Sequence, residues 1–269
     1  MFTAACIQIR ASSDLQRNLR VTEELVRRAA GMGCSLVATP EATTYLGPHD
    51  KKVELAEQVD GPTHRRLARL AEELGIHLLI GSVAERAEGD QRRCHNTSLL
   101  FGPAGELIAS YRKMHLFDVD IPGGVSFAES RTCARGSELV VASTSLGEIG
   151  LSICYDLRFP ELYRALLDRG AQILTVPSAF TLMTGKDHWH VLLRARAIET
   201  QCYVLAPGQW GAHDDEGLRR SYGHSVIIDP WGTVVAECSD GEGLCVAEID
   251  LDRVASVRRS MPLSQHRQL

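Results

Sequence analysis

The sequence predicts an α/β fold, a mainly parallel or mixed sheet covered by helices, on three observations. Runs of strand length alternate with amphipathic stretches of helix length from the first residues onward, opening in the order βαβαβ. The apolar run Cys34 to Thr39, bounded by Pro40, has the composition of a buried strand. Two distant segments, NTSLLFGPAGELIAS from Asn96 and GHSVIIDPWGTVVAE from Gly223, align without a gap. They match Ser98 with Ser225, Pro103 with Pro230 and Gly105 with Gly232, so each reads as strand, Pro-x-Gly turn, strand. Such a pair of hairpins implies an internally two-fold sandwich.

In chain order, residues 2–9 read as a strand, and Asp14 caps a helix running to about Gly31, with Leu15, Leu19, Val21, Leu25 and Val26 as its apolar face. Gly61-Pro62 opens a second amphipathic helix that ends near Gly75. IHLLIGSVAE is the next strand, and the first hairpin follows it. Residues 117–137 lack clear periodicity, and an aperiodic stretch of that size in a compact domain is often functional. EIGLSIC reads as a strand ending at Cys154, FPELYRALLDRG as a helix, AQILTVPSAF as a strand, and Asp187 to about Glu199 as a helix. CYVLAP, SVIID, TVVAE and LCVAEID complete the strands. No Ser/Gly linker or low-complexity tract interrupts residues 1–269, which are read as one domain.

With 269 residues and 44% apolar content the chain can bury a large core. A net charge of −5 offers no broad basic surface for nucleic acid or an anionic membrane, so a small-molecule partner is expected. MFTAACIQIR lacks the features of a secretory signal, and no apolar run reaches the roughly 20 residues of a membrane span. A cytoplasmic protein is the expectation. The eight cysteines form no C-x-x-C pair, and seven are read as reduced, buried thiols that pack as small hydrophobes.

Three reactive side chains share one placement. TPE ends a strand at Glu41, YRK ends one at Lys113, and GLSIC ends one at Cys154, with a helix following. Ligands gather outside the carboxyl ends of strands in open α/β sheets, so these three can converge there. On a strand-to-helix corner, helix N–H groups and a nearby cation favour the thiolate of Cys154. A carboxylate would take its proton and an ammonium would hold the charge on an attacked carbonyl oxygen. The plainer reading makes Glu41 and Lys113 surface residues and Cys154 a packed thiol.

PEATTY around Glu41, YRKMHLFDVDIPG around Lys113 and CYDLRFPE from Cys154 resemble, in order and spacing, the three signature blocks of the nitrilase superfamily of carbon–nitrogen hydrolases. PSAF, GKDHWHVLLRARAIETQCYV, SYGHSVIIDPWGTVVA and GLCVAEIDL extend the resemblance over nearly the whole chain and are similar to its Nit branch of amidases. The resemblance implies a single-domain α-β-β-α sandwich and thiol-dependent hydrolysis of a small carboxylate-bearing amide to a carboxylate and ammonia through a thioester. It makes Cys154 the nucleophile, Glu41 the general base and acid, and Lys113 the oxyanion partner with the backbone N–H of Tyr155. Glu129, in FAES, matches a second carboxylate that orients lysine or substrate.

Substrates expected within that branch are deaminated glutathione or α-ketoglutaramate, and PSAF, RARAIETQCYV and QHR lean toward the first. Nitriles and N-carbamoyl amino acids are alternatives for the same residues, and a catalytically silent binding protein is the non-enzymatic one. Arg158 stands where related carbamoylases hold a substrate carboxylate, with an ion pair to Asp156 or Glu161 as its structural alternative. Phe180 and Thr184 are candidate pocket residues, with core packing and helix entry as their alternatives. No metal or organic cofactor is expected: His188 and His190, two apart, lack the spacing of a helical metal pair, and GHS lacks the second glycine of a nucleophile elbow. Arg194, Arg196 and Glu199 can pair across a solvated helix face, part of which the resemblance assigns to the contact of a homodimer. Ending at QHRQL, the chain departs from relatives that carry a longer tail and its contacts.

Overall fold

The structure, a computed structural model, describes residues 1–120, 126–213 and 219–268. Part of the aperiodic 117–137 stretch and the last residue of QHRQL lie outside the described residues. The first half contains β1 (Phe2–Gln8), α1 (Leu15–Gly31), β2 (Cys34–Ala38), α2 (His49–Glu54), α3 (Pro62–Leu74), β3 (His77–Arg86), β4 (Cys94–Phe101) and β5 (Leu107–Arg112). Short strands β6 (Asp118–Asp120), β7 (Ser126–Ala128) and β8 (Cys133–Ala134) lead to the second half. There lie β9 (Val141–Thr144), β10 (Gly147–Leu151), α4 (Pro160–Asp168), β11 (Ile173–Thr175), α5 (Leu182–Thr200) and β12 (Tyr203–Ala206). The chain ends with β13 (Trp210–Ala212), β14 (Arg220–Tyr222), β15 (Val226–Ile228), β16 (Val234–Glu237), β17 (Gly243–Ile249), α6 (Leu251–Ser260) and α7 (Leu263–His266).

Two mixed sheets carry the architecture. One runs β17-β1-β2-β3-β4-β5, with β8 beside β4, and the other β16-β15-β12-β11-β10-β9. In each, three parallel strands (β1, β2, β3; β10, β11, β12) are followed by an antiparallel hairpin (β4–β5; β15–β16) and flanked on the other side by one antiparallel strand. The two aligned hairpin sequences occupy corresponding places, so the repeat read from Pro-x-Gly turns is a repeat of topology.

Side chains alternate across the first sheet. Ala4, Cys6, Leu36 and Leu79 join a core with Ile149, Ile173, Leu174 and Val204 of the second sheet, which continues to Leu166 of α4 and Leu193 of α5. Ala5, Ile7, Val37, Leu78 and Ile80 point the other way, onto Leu19 and Val26 of α1 and Leu67 of α3. The layers are therefore α-β-β-α, because each sheet has one face to bury on its partner and one on helices.

The local signals act as expected at several ends. Asp14 Oδ1 accepts the Arg17 N–H at 3.0 Å, and Gly75 ends α3 at φ 63°. Others differ. The strand before Cys154 ends at Leu151: Ser152 and Cys154 still donate their N–H groups to the carbonyls of Thr175 and Pro177, but Pro177 has no N–H to return a bond. Helix α5 begins at Leu182, five residues before the expected Asp187. Gly185 conceals that first turn in sequence, and it is needed there because a Cβ would stand 2.3 Å from Cβ of Tyr222. Helices α2 and α6 and the β13–β14 pair were not anticipated. Among the described residues no helix is long and apolar enough to cross a membrane.

Candidate functional site

Glu41 lies three residues past β2, on a bend in which Ala42 takes φ 57°. The bend is tied to β3: Ser82 accepts the Ala42 N–H on its hydroxyl (2.8 Å) and the Thr43 N–H on its carbonyl (3.0 Å). Gln209 Nε2 donates to the Glu41 carbonyl at 2.9 Å. Lys113 follows β5 directly and still donates its N–H to Asn96 of β4 at 2.9 Å. Cys154 opens a one-turn 3-10 helix at φ 49°, its N–H bound to the Pro177 carbonyl at 2.9 Å. Asp156, fully buried, fastens that turn by accepting from Ile153 N–H (2.8 Å), Tyr111 hydroxyl (2.7 Å) and His115 N–H (3.0 Å). Three left-over ends of β2, β5 and β10 are thus brought to one place.

Glu41, Lys113, Glu129 and Cys154 are all buried and line one cavity. Lys113 Nζ donates to Glu41 Oε1 and to Glu129 Oε2, each at 2.9 Å. Asn96 Nδ2 bridges the same two carboxylates, 2.9 Å from Glu41 Oε1 and 3.1 Å from Glu129 Oε1. The remaining Glu41 oxygen accepts the Ala179 N–H at 2.9 Å, and Glu129 Oε2 also accepts the Phe117 N–H at 2.8 Å. Tyr155, Arg158, Phe180 and Thr184 line the same cavity, so every expected site residue is gathered there. Among the described residues the Tyr155 N–H makes no hydrogen bond to another backbone carbonyl.

The electrostatics correct one expectation. Burial, and then the adjoining Glu41 carboxylate, push the Cys154 thiol well above its ordinary range despite Lys113. That environment favours the thiol form, against the corner position's pull toward thiolate and in keeping with a neighbouring carboxylate that takes the proton. Burial works against the charge on Lys113 too, but Glu129 and Glu41 outweigh it and hold the ammonium well above the usual lysine range. Glu129 is opposed by burial and held down to about 2 by Lys113 and Lys52.

Other readings resolve differently. Arg158 makes no ion pair with Asp156 or Glu161 among the described residues. It donates to His188 Nδ1 at 3.3 Å and lies 5.3 Å over Phe180 and 5.9 Å over Tyr155. Phe180 both packs on Trp189 and lines the cavity, and Thr184 both enters α5 and lines it. Arg196 is not solvated: it is buried, bonded to the Leu157 carbonyl at 2.8 Å and to Glu199 at 2.9 Å. His190 does not meet His188; with His224 and Glu237 it forms a group whose ligand atoms lie within 4.8 Å, both rings bonded to Glu237 Oε1. All eight cysteines are free and buried.

Sequence reasoning missed Asn96, Lys52, His49 and Arg219, all in the cavity wall. A signal existed for Asn96: it faces Gly223 in the hairpin alignment, a repeat position where the two copies differ in chemistry.

A family model described as "Carbon-nitrogen hydrolase" matches residues 3–259. The chain is 44% identical to a deaminated glutathione amidase of Synechocystis, over 99% of this chain and 98% of that protein. It is 46% identical to the Homo sapiens deaminated glutathione amidase, over 98% and 81%, and 38% identical to a Homo sapiens omega-amidase, over 97% and 93%. The crystal structure of the C. elegans NitFhit protein superposes with a TM-score of 0.93 at 42% identity, covering 99% of this chain and 65% of that one. This chain thus spans less than two thirds of that protein. An amidase from Nesterenkonia sp. AN1, with acrylamide added at its active-site cysteine, superposes with a TM-score of 0.80 at 26% identity over 98% and 100%.

Proposed function

Because this chain belongs to the carbon–nitrogen hydrolase family, in its nitrilase-like Nit branch, we propose that residues 1–269 act as one amidase domain that cuts a small carboxylate-bearing amide through a thioester on Cys154. The observation that supports this most is the buried network in which Lys113 and Asn96 tie Glu41 and Glu129 together beside a protonated thiol.

In the proposed reaction Glu41 takes the thiol proton as the sulfur attacks the amide carbon. The tetrahedral oxyanion is held by Lys113 and the Tyr155 N–H. Glu41 returns the proton to the departing nitrogen, the carbon–nitrogen bond breaks, and amine or ammonia leaves. Water then attacks the thioester, giving its proton to Glu41; collapse releases the carboxylic acid and restores the thiol. Glu129 acts as a positioning residue, since it touches Lys113 and fixes the ammonium between two carboxylates. Arg158, Phe180 and Thr184 form the wall that receives the acyl group.

A substrate of the deaminated glutathione type is favoured by the two relatives at 44% and 46% identity. An omega-amidase reading, supported by the relative at 38%, uses the same groups with ammonia as leaving group. Intact-mass measurement after incubation with deaminated glutathione and with α-ketoglutaramate tests both: an acyl adduct on Cys154 and product acid are expected from the first. No adduct and no hydrolysis with either would overturn the substrate, and an active Cys154→Ala variant would overturn the mechanism.

Two further readings accompany it. The exposed apolar side chains Val191 and Ile198 on α5, with Trp231 nearby, support a homodimer through this helical face. Eight unpaired thiols support work in the reducing cytoplasm.

A further inference from the structure

Away from the cavity, three side chains from three separate elements converge where α5 meets the second hairpin. His190 stands two turns into α5, His224 lies in the link between β14 and β15, and Glu237 ends β16. Their ligand-capable atoms all lie within 4.8 Å of one another. None of the three lines the described cavity, so the amidase reading gives them no task.

Both rings aim at one oxygen. His190 Nε2 is 2.9 Å and His224 Nδ1 is 2.7 Å from Glu237 Oε1. Zinc bonds of about 2.0–2.1 Å put neighbouring donors of a tetrahedral shell about 3.3 Å apart, so each pair has only to open by roughly half an ångström. All three side chains are half-buried and have room for that shift. Coordination also needs the proton of each ring on its far nitrogen. In His224 that nitrogen, Nε2, faces Asp240 Oδ1 at 3.7 Å, the arrangement in which a carboxylate behind a histidine sets the tautomer of a metal ligand.

The groups are held in place by their neighbours. The Tyr222 ring stacks on His224 at 4.4 Å and stands edge-on to His190 at 6.1 Å. Trp189 Nε1 donates to the His224 carbonyl at 2.8 Å, which joins helix and link beside the two rings. The Ser225 N–H, one residue on, is bound to Gln8 Oε1 at 2.8 Å. Charge favours a cation here. Glu237 and Asp240 face His rings, and among the described residues no Lys or Arg forms an ion pair with either. Two imidazoles with one carboxylate suit zinc and its transition-metal neighbours, whereas magnesium and calcium take oxygen shells.

We infer that His190, His224 and Glu237 form a binding site for a divalent transition metal of the zinc class, with Asp240 behind His224 and a fourth position open to water. The spacing of His188 and His190 could not reveal it, because the partners of His190 come from far along the chain. The role of the site is structural: a bound ion pins the middle of α5 to the β15–β16 hairpin, and no step of amide cleavage passes through it.

Calorimetry of the tag-free chain with Zn²⁺, and separately with Mg²⁺, tests the inference. One Zn²⁺ per chain and no binding of Mg²⁺ are expected, and zinc should raise the midpoint of thermal unfolding because it binds the folded form. His190→Gln and Glu237→Gln, each of which keeps a hydrogen-bonding amide, should weaken zinc by about a hundredfold or more, and Asp240→Asn by about tenfold. Circular dichroism establishes that each variant is folded. Co²⁺ in the unmodified protein reads the donor set without any substitution. Visible d–d bands with no thiolate charge-transfer band are expected from nitrogen and oxygen ligands; a thiolate band would put the metal on a cysteine and overturn the site. Absence of zinc binding, equal binding of Mg²⁺, or an affinity unchanged in either folded ligand variant would overturn it as well.

Discussion

Lys113 and Glu129 keep charges that neither would keep alone in so dry a place. Removing one member of a buried charged set strands the others, which typically costs about 3–5 kcal/mol. Glu129→Gln should therefore unfold in urea at neutral pH with a stability lowered by about that amount and with sharply reduced turnover. The sign of the pH effect follows from the depressed carboxyl. Its stabilisation is present above the ordinary 4.5 and is lost as pH falls toward about 2. The deficit of Glu129→Gln should shrink across that window, and a deficit constant with pH would show that shape rather than charge is what Glu129 contributes. At this scale the three reactive residue types were legible in the motifs. The protonation state of Cys154 was not, because burial and the Glu41 carboxylate meet the sulfur only after folding.

Elements place these groups through a few close crossings. Gly81, within β3, has room for no side chain: a Cβ there would stand 2.0 Å from the Thr39 carbonyl oxygen and 2.5 Å from both the Pro40 carbonyl oxygen and Pro177 Cβ. Thr39 and Pro40 lead into Glu41, and the Pro177 carbonyl holds the Cys154 N–H. Gly81→Ala should thus cost about 1–3 kcal/mol by overpacking. It should also lower kcat by at least roughly tenfold, since displacement by about an ångström is enough to do so. Thermal unfolding with steady-state rates would check both, and a fully active, equally stable variant would refute the coupling. Strands and capped helices were readable from periodicity and from Asp14, Gly61-Pro62 and Gly75. The first turn of α5 was hidden by Gly185, whose reason lies in Tyr222, far along the chain.

For the molecule as a whole, the two sheets repeat one topology, yet only the first half supplies Glu41, Lys113 and Glu129, and only the second supplies Cys154. The proposed dimer face belongs to this scale. A double change, Val191→Asp with Ile198→Asp, should halve the mass measured by light scattering while leaving the far-ultraviolet circular dichroism unchanged. An unmodified protein already at monomer mass would dismiss that face as a contact.

By itself, the order of residues determined the α/β class, the paired hairpins and the Glu, Lys, Cys order of the signature blocks, since each rests on local periodicity, turn chemistry or short motifs. Tertiary structure alone decided that Asn96 bridges two carboxylates and that burial and Glu41 favour the thiol form of Cys154. Those properties come from dielectric and from distance between segments far apart in the chain, and neither is written in any one stretch of it.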